Sequence, residues 1–295
     1  MNLKMGKILD STRYVINGVL LLFFTIVSAG LLLPSMAFAE EGYGPGTDRF
    51  KINLGAYFPA ISTELQVDIS DGPAIDLEDV LGLSEDETVL RLDGYWRFAE
   101  RHRLGFGYYR LNRDASHVLT VPLEIGGDTW YQGARVDSDL TMDFYSLDYR
   151  YSFYQGDKWE IAGLIGAYWV RVATEIGLAV SLTNPPFPDD VDKSERFESD
   201  TFEGPLPLLG LSFDYYITPK WMLTLKGGYF QLTINDYKGR IGNLGASVEY
   251  QFTKTFGLGL GYDSFHLKVE ADKADGFAEV TYKYQGAQVY GILRF

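Results

Sequence analysis

The chain of 295 residues contains no cysteine. No disulfide framework and no thiolate metal site is open to it. A lipoprotein is excluded as well, because the lipid needs a cysteine at the cleavage site. Basic residues are scarce: 26 Lys and Arg stand against 40 Asp and Glu, for a formal net charge of −14. Nucleic-acid binding rests on Lys and Arg contacts to phosphate, so this balance argues against it. Long apolar runs are almost absent. A helical membrane protein needs several of about 20 residues, and only Val19–Leu33 approaches that length. Beyond it there is hardly any helical period.

That one run has the makings of a secretory signal. Lys4, Lys7 and Arg13 precede it, and Pro34 and then Ala37-Phe38-Ala39 follow it. A charged start, an apolar middle and a small-x-small end predict export and cleavage after Ala39. The alternative, an uncleaved anchor helix, is opposed by the Ala-x-Ala site and by Glu40-Glu41 behind it. Loss of residues 1–39, with three basic residues and one acidic, takes the net charge from −14 to −16. Residues 40–47 read as a short lead-in and 48–295 as one domain.

What the domain has in abundance is aromatic residues, 15% of the chain, and 32 glycines, set in a period-2 alternation that marks strands with one apolar face. Leu209, Leu211, Phe213, Tyr215 and Ile217 alternate with Gly210, Ser212, Asp214 and Tyr216. Leu244, Ala246, Val248, Tyr250 and Phe252 alternate with Gly245, Ser247, Glu249 and Gln251. Phe256, Leu258, Leu260 and Tyr262 alternate with Gly257, Gly259, Gly261 and Asp263. Extended segments such as 129–155 and 158–182 far exceed the usual strand of about 5–6 residues. Tyr, Phe and Trp gather near strand ends, as in an interfacial girdle.

These features predict an all-β, antiparallel transmembrane β-barrel, apolar outside and polar inside. Four tight turns stand out, at 99–102, 155–158, 218–220 and 253–255. They join five hairpins into ten strands, with eight or twelve as alternatives. The spans are 48–69, 88–99, 102–125, 129–155, 158–182, 205–217, 220–236, 243–253, 256–270 and 277–295. Pro59 is read as a bulge, because splitting the first span there leaves an odd number. The outer loops are then 70–87, 126–128, 183–204, 237–242 and 271–276.

Alternation turns Arg91, Asp93, Tyr95 and Arg97 inward, together with Asp137, Asp139, Asp148, Arg150, Asp214, Lys226, Glu249 and Arg294. Mixed-sign charges in a narrow barrel satisfy one another, since a lone buried charge is costly; the rival reading is a charged constriction in a small pore. Ten strands lie near the filled end of the barrel series. Inward Gly105, Gly107, Gly245, Gly257, Gly259 and Gly261 leave space that long side chains, with Tyr216, would fill. The expected conductance is therefore small, and Arg91→Ser with Arg97→Ser is expected to destabilise the barrel and raise it.

No catalytic set emerges. Ser116-His117, His266 near Asp263 and Ser264, and His102 at a turn supply residue types of a triad without a motif. Loops 70–87 and 183–204 are acidic; they read as solvated surface, with weak binding of divalent cations as the alternative. Val80-Leu81-Gly82-Leu83 predicts that the first loop folds back as a short helix or lid. No cofactor and no metal site is expected.

The terminal Phe295, with Leu293, Gly291, Val289 and Ala287 spaced by two before it, resembles the assembly signal of bacterial outer-membrane proteins. Residues 48–295 resemble, in pattern, the small outer-membrane proteins grouped around the outer membrane protein A transmembrane barrel. The resemblance implies a Gram-negative outer-membrane location, contact with lipid and lipopolysaccharide, and insertion by the barrel-assembly machinery. Omptin proteases are also ten-stranded, and outer-membrane lipid A deacylases use His-x-Ser. Neither motif is found, and no catalytic residue is carried over. The expected role is non-enzymatic, structural or a narrow pore; a surface-binding barrel using its acidic loops and a membrane-embedded hydrolase are the alternatives.

Overall fold

The computed structural model describes residues 44–67, 75–119, 123–125, 128–130, 133, 135–179, 196–234, 236–273 and 276–295. The expected signal segment with Ala39, and most of the acidic loop at 183–204, lie outside them. Ten strands form one antiparallel sheet: β1 (Phe50–Val67), β2 (Val89–Ala99), β3 (His102–Val118), β4 (Arg135–Gln155), β5 (Trp159–Ala179), β6 (Arg196–Thr218), β7 (Trp221–Ile234), β8 (Tyr237–Gln251), β9 (Phe256–Lys273) and β10 (Gly276–Arg294). Each pairs with its neighbours in sequence, and β10 pairs with β1 from Lys51–Arg294 to Val67–Ala278, closing the barrel. Closure leaves no free lateral edge at the seam, as a wall in lipid requires.

The four tight turns join β2–β3, β4–β5, β6–β7 and β8–β9, at the end that also carries both termini of the barrel. Two are held alike. The Thr218 hydroxyl accepts from the Lys220 and Trp221 amides, and the Thr253 hydroxyl accepts from those of Thr255 and Phe256. Bulges fall at this end too, at Arg97/Ala99, Ser152/Tyr154 and Trp221/Met222. Phe295 locks the seam: its amide donates to the Phe50 carbonyl at 2.9 Å, and its carbonyl accepts from Arg49 and Phe50.

The outer face carries the apolar residues of each alternation. Leu147, Ile165, Leu211, Leu244, Leu258 and Leu260 are exposed in a belt. Below it, on the turn side, lie Trp96, Phe98, Tyr151, Phe153, Trp159, Trp221 and Phe252. Above it, Tyr108 stacks on Tyr145, whose cross-strand partner is Trp169. Two aromatic girdles bounding an apolar band are the signature of a wall that crosses a bilayer.

Several expectations need correction. Pro59 is not a bulge: it pairs with Gly286 in unbroken register. Even-numbered amides of β1 point to β10, as Phe50 shows, so the N–H that Pro59 lacks belongs to the other edge. There β2 has already ended, and the Pro59 carbonyl accepts from Glu87 in the loop. β3 stops at Val118, and Leu123–Ile125 pairs instead with Asp128–Trp130 in a separate hairpin. β6 begins at Arg196, inside the expected loop, and the expected loop 237–242 is the start of β8. The first loop does contain a helix, α1 (Leu77–Leu81), capped by the Asp76 carboxylate and ended by Gly82 with φ 69°.

Candidate functional site: the barrel interior

Inward residues stack in three layers. The lowest, on the turn side, is a charge network with two carboxylate nodes. Glu160, with no exposure at all, accepts from both terminal guanidinium nitrogens of Arg97 at 3.0 Å and from the Ser152 hydroxyl, and lies 3.4 Å from Arg103. Arg103 reaches on to Asp214 at 2.8 Å, which also accepts from Thr224. Glu249 takes Lys51, Arg294 at 2.9 Å and the Tyr290 hydroxyl at 3.0 Å. Asp48 joins the nodes: it accepts from the Tyr95 hydroxyl at 2.5 Å and lies 3.6 Å from Arg294 and 4.0 Å from Arg97.

Above these nodes Arg150 grips Asp148, with Lys226 at 3.9 Å from the same carboxylate. Arg91 bonds Asp263 at 2.6 Å and approaches Asp93 at 3.5 Å. Across the layer, seven cations (Lys51, Arg91, Arg97, Arg103, Arg150, Lys226, Arg294) face seven anions (Asp48, Asp93, Asp148, Glu160, Asp214, Glu249, Asp263). A buried network that is neutral as a whole needs no counterion, and each member avoids the several-kcal/mol penalty of a lone buried charge. Glycines make the room: a Cβ on Gly259 would lie 2.3 Å from the Tyr290 ring that bonds Glu249.

The second layer is apolar. Tyr109 stacks on Phe144 at 4.6 Å and Phe265 on Tyr284 at 4.8 Å, and the two stacks meet edge to face. The Tyr109 and Tyr284 hydroxyls share a hydrogen bond, and Leu111, Met142, Leu164, Val170, Leu208 and Ile241 pack around them. The Arg91 guanidinium lies over Tyr57 and Tyr109 at 5.4 and 5.9 Å, tying the charge layer to this one. A polar cavity of about 90 Å³ remains within the charge layer and one of about 50 Å³ between it and the aromatic layer, both lined by Arg91, Arg150, Lys226 and Asp263.

The third layer is the first loop, turned into the mouth. Leu81 and Leu83 pack on Leu119 and Val136. Glu78 accepts from the Thr63 amide at 2.8 Å and from Arg113 at 2.5 Å, and both charges are buried. Gly82 is tight against His117, whose ring would meet a Cβ there at 2.9 Å. In the same loop, burial raises the Glu87 carboxyl above the usual carboxylate range, against the pull of Arg113.

All nine charged residues singled out as an interior network in the sequence do point inward, as does Tyr95. Asp137 and Asp139 do not. No register shift separates them from Asp148, so one parity holds along β4, and odd positions there face outward. Asp139 stands opposite Asp114 and Glu175 on the outer surface. Sequence reading missed Asp48, Lys51, Arg103, Glu160 and Asp263. The last four were open to the same parity rule, since Arg103 shares its face with Gly105 and Gly107. The histidines are dispersed: His102 bonds Tyr149 at 2.6 Å, and His266 faces away from Asp263, on the other side of the wall. Among the described residues no three His, Asp or Glu side chains are grouped to hold a metal.

No protein-family model and no curated protein matches the chain. Solved structures do. The outer membrane protease OmpT from Escherichia coli is 9% identical, with 87% of this chain and 99% of that one covered, at a TM-score of 0.54. The toluene transporter TodX from Pseudomonas putida is 11% identical, over 85% and 92%, at 0.34. Ail from Yersinia pestis is 9% identical, over 82% and 98%, at 0.25. At such identities the likeness to OmpT is one of architecture, and it supports the fold alone, a closed antiparallel β-barrel.

Proposed function

We propose that the mature chain is an integral, non-enzymatic protein of the Gram-negative outer membrane whose barrel is closed to solutes. One observation carries this reading: the interior is filled by a neutral charge layer, an aromatic layer and an inturned loop, in series. A ten-stranded barrel with large inward side chains lies near the filled end of the size range. Paired charges in a confined interior are screened little by salt, so the plug holds at ordinary ionic strength. The test is planar-bilayer conductance of the refolded mature chain. Small or undetectable conductance is expected, and a large, steady conductance like that of a general porin overturns the reading.

Export and assembly belong to the same proposal. Cleavage between Ala39 and Glu40 is expected, and N-terminal sequencing of membrane-extracted protein checks it; a start at Met1 counts against it. Phe295 closes the seam onto Arg49 and Phe50 through three backbone hydrogen bonds. Its removal is expected to strip most of the folded, heat-modifiable form from outer-membrane fractions. Unchanged levels would contradict a role in assembly.

A further inference from the structure

The wall is not continuous. The β6–β7 ladder runs from the turn to Leu209–Tyr229, and no rung follows among the described residues. Above that point β6 continues to Arg196 on β5 alone, and β7 continues to Ile234 on β8 alone. The cause is in the sequence. The Tyr216 amide donates to Lys158, so even-numbered N–H groups of β6 point to β5 and odd-numbered ones to β7. The next two rungs would need donors at positions 207 and 205, and both are proline. A proline cannot donate to a ladder.

Behind the split lies a cavity of about 250 Å³, lined by Leu206, Phe230, Leu232, Ile241, Leu267 and Val269. It exceeds the roughly 150 Å³ apolar cavity that accommodates benzene. Its floor is closed, because Leu206, Phe230 and Leu267 pack on the aromatic layer. Pro205 pairs with Trp169, so the split opens at the level of the upper aromatic girdle. There it is continuous with the apolar belt through Leu209 and Tyr229, both exposed. On the adjoining outer surface Lys238 and Arg240 pair with Glu270, and Lys268 pairs with Glu270 and Glu279.

We propose that this cavity is a binding site for an acyl chain of a membrane lipid, which enters sideways between β6 and β7 and leaves its head group beside the paired charges of Lys238, Arg240 and Glu270. The closed floor makes the site a holding pocket and keeps it compatible with a sealed barrel; it rests on the membrane location proposed above. A membrane lipid is the occupant that the geometry favours, because the opening meets the upper girdle and runs on into the apolar belt, where acyl chains lie.

The test uses the mature chain refolded into phosphatidylglycerol vesicles, with a benzophenone photocrosslinker at position 269 and, as a control on the outer belt, at position 260. Lipid adducts are read by mass spectrometry. A phosphatidylglycerol adduct is expected at both positions. Gly239→Phe fills the pocket, since a Cβ at Gly239 meets nothing within 4 Å. It is expected to cut the adduct at 269 about tenfold, the drop that goes with ~1.4 kcal/mol of affinity, and to spare the adduct at 260. Pro205→Thr with Pro207→Thr restores the two donors and is expected to act likewise, so the test survives if the first variant does not fold. No adduct at 269, or an adduct untouched by both variants, overturns the site. An adduct from dodecanoate added in water, with none from phosphatidylglycerol, overturns lateral entry. Loss of the adduct at 260 as well points instead to failure of the membrane reading.

Discussion

Glu160→Ala is expected to lose most of the folded barrel. Glu160 neutralises Arg97 and Arg103, and all three side chains are at most 3% exposed. Without it, seven interior cations face six anions, and two guanidinium groups sit in a site that water does not reach. Removing one partner of a buried pair costs about 3–5 kcal/mol, because the other charge is left uncompensated. Arg103 has little reserve, since its Nε and Nη2 already lack hydrogen-bond partners. The Glu160→Gln variant keeps an acceptor but not the charge and is expected to fall between. Urea midpoints of protein refolded in vesicles measure both. The reference is Asp137→Ala on the outer surface, where a change within about 0.5 kcal/mol is ordinary. If Glu160→Ala matched it, the charge layer would not be what stabilises this end of the barrel.

The second large effect concerns the seal. From sequence, Arg91→Ser with Arg97→Ser is expected both to destabilise the barrel and to raise conductance. The structure separates those outcomes. Arg97 holds Glu160 at the base and Arg91 holds Asp263 beneath the aromatic stacks, so stability falls with either. Conductance is not expected to follow, because the Tyr109–Phe144 and Phe265–Tyr284 stacks still lie across the lumen above. A steady current is expected only when Phe144→Ala is added. That change removes the ring in contact with both Tyr109 and Tyr284 and costs about 3–5 kcal/mol by itself. The comparison is made at low temperature, on vesicles in which heat-modifiability shows the variant to be folded. A porin-like current from the arginine pair alone would show that the aromatic layer does not seal.

Much of this was legible from the chain, because side-chain direction in a strand is a local property. Alternation at 209–217, 244–252 and 256–263 is enough to assign a wall with a lipid face and a lumen face, and tight turns such as 218–220 are enough to count hairpins. Alternation is ambiguous at the upper end of β4, where Asp137 and Asp139 are expected inward but face outward, since no bulge separates them from Asp148. Polarity does not mark every inward position: Tyr57, Phe144, Phe265 and Tyr284 sit inward and form an apolar cluster.

Parity assigns a side chain to a face but says nothing of its height in the barrel or its angle around the axis. Those follow from register, and register joins residues far apart in sequence: Arg97 meets Glu160, and Lys51 meets Glu249 across 198 positions. Only closure of the sheet brings such pairs together, so the charge nodes and the aromatic stacks are products of tertiary structure. The split at β6 divides in the same way. Pro205 and Pro207 are plain in the sequence, and they remove two donors wherever they lie. That the missing donors face β7, at the outer girdle and over an apolar cavity, depends on which edge of β6 pairs with β5, and the closed barrel alone decides it.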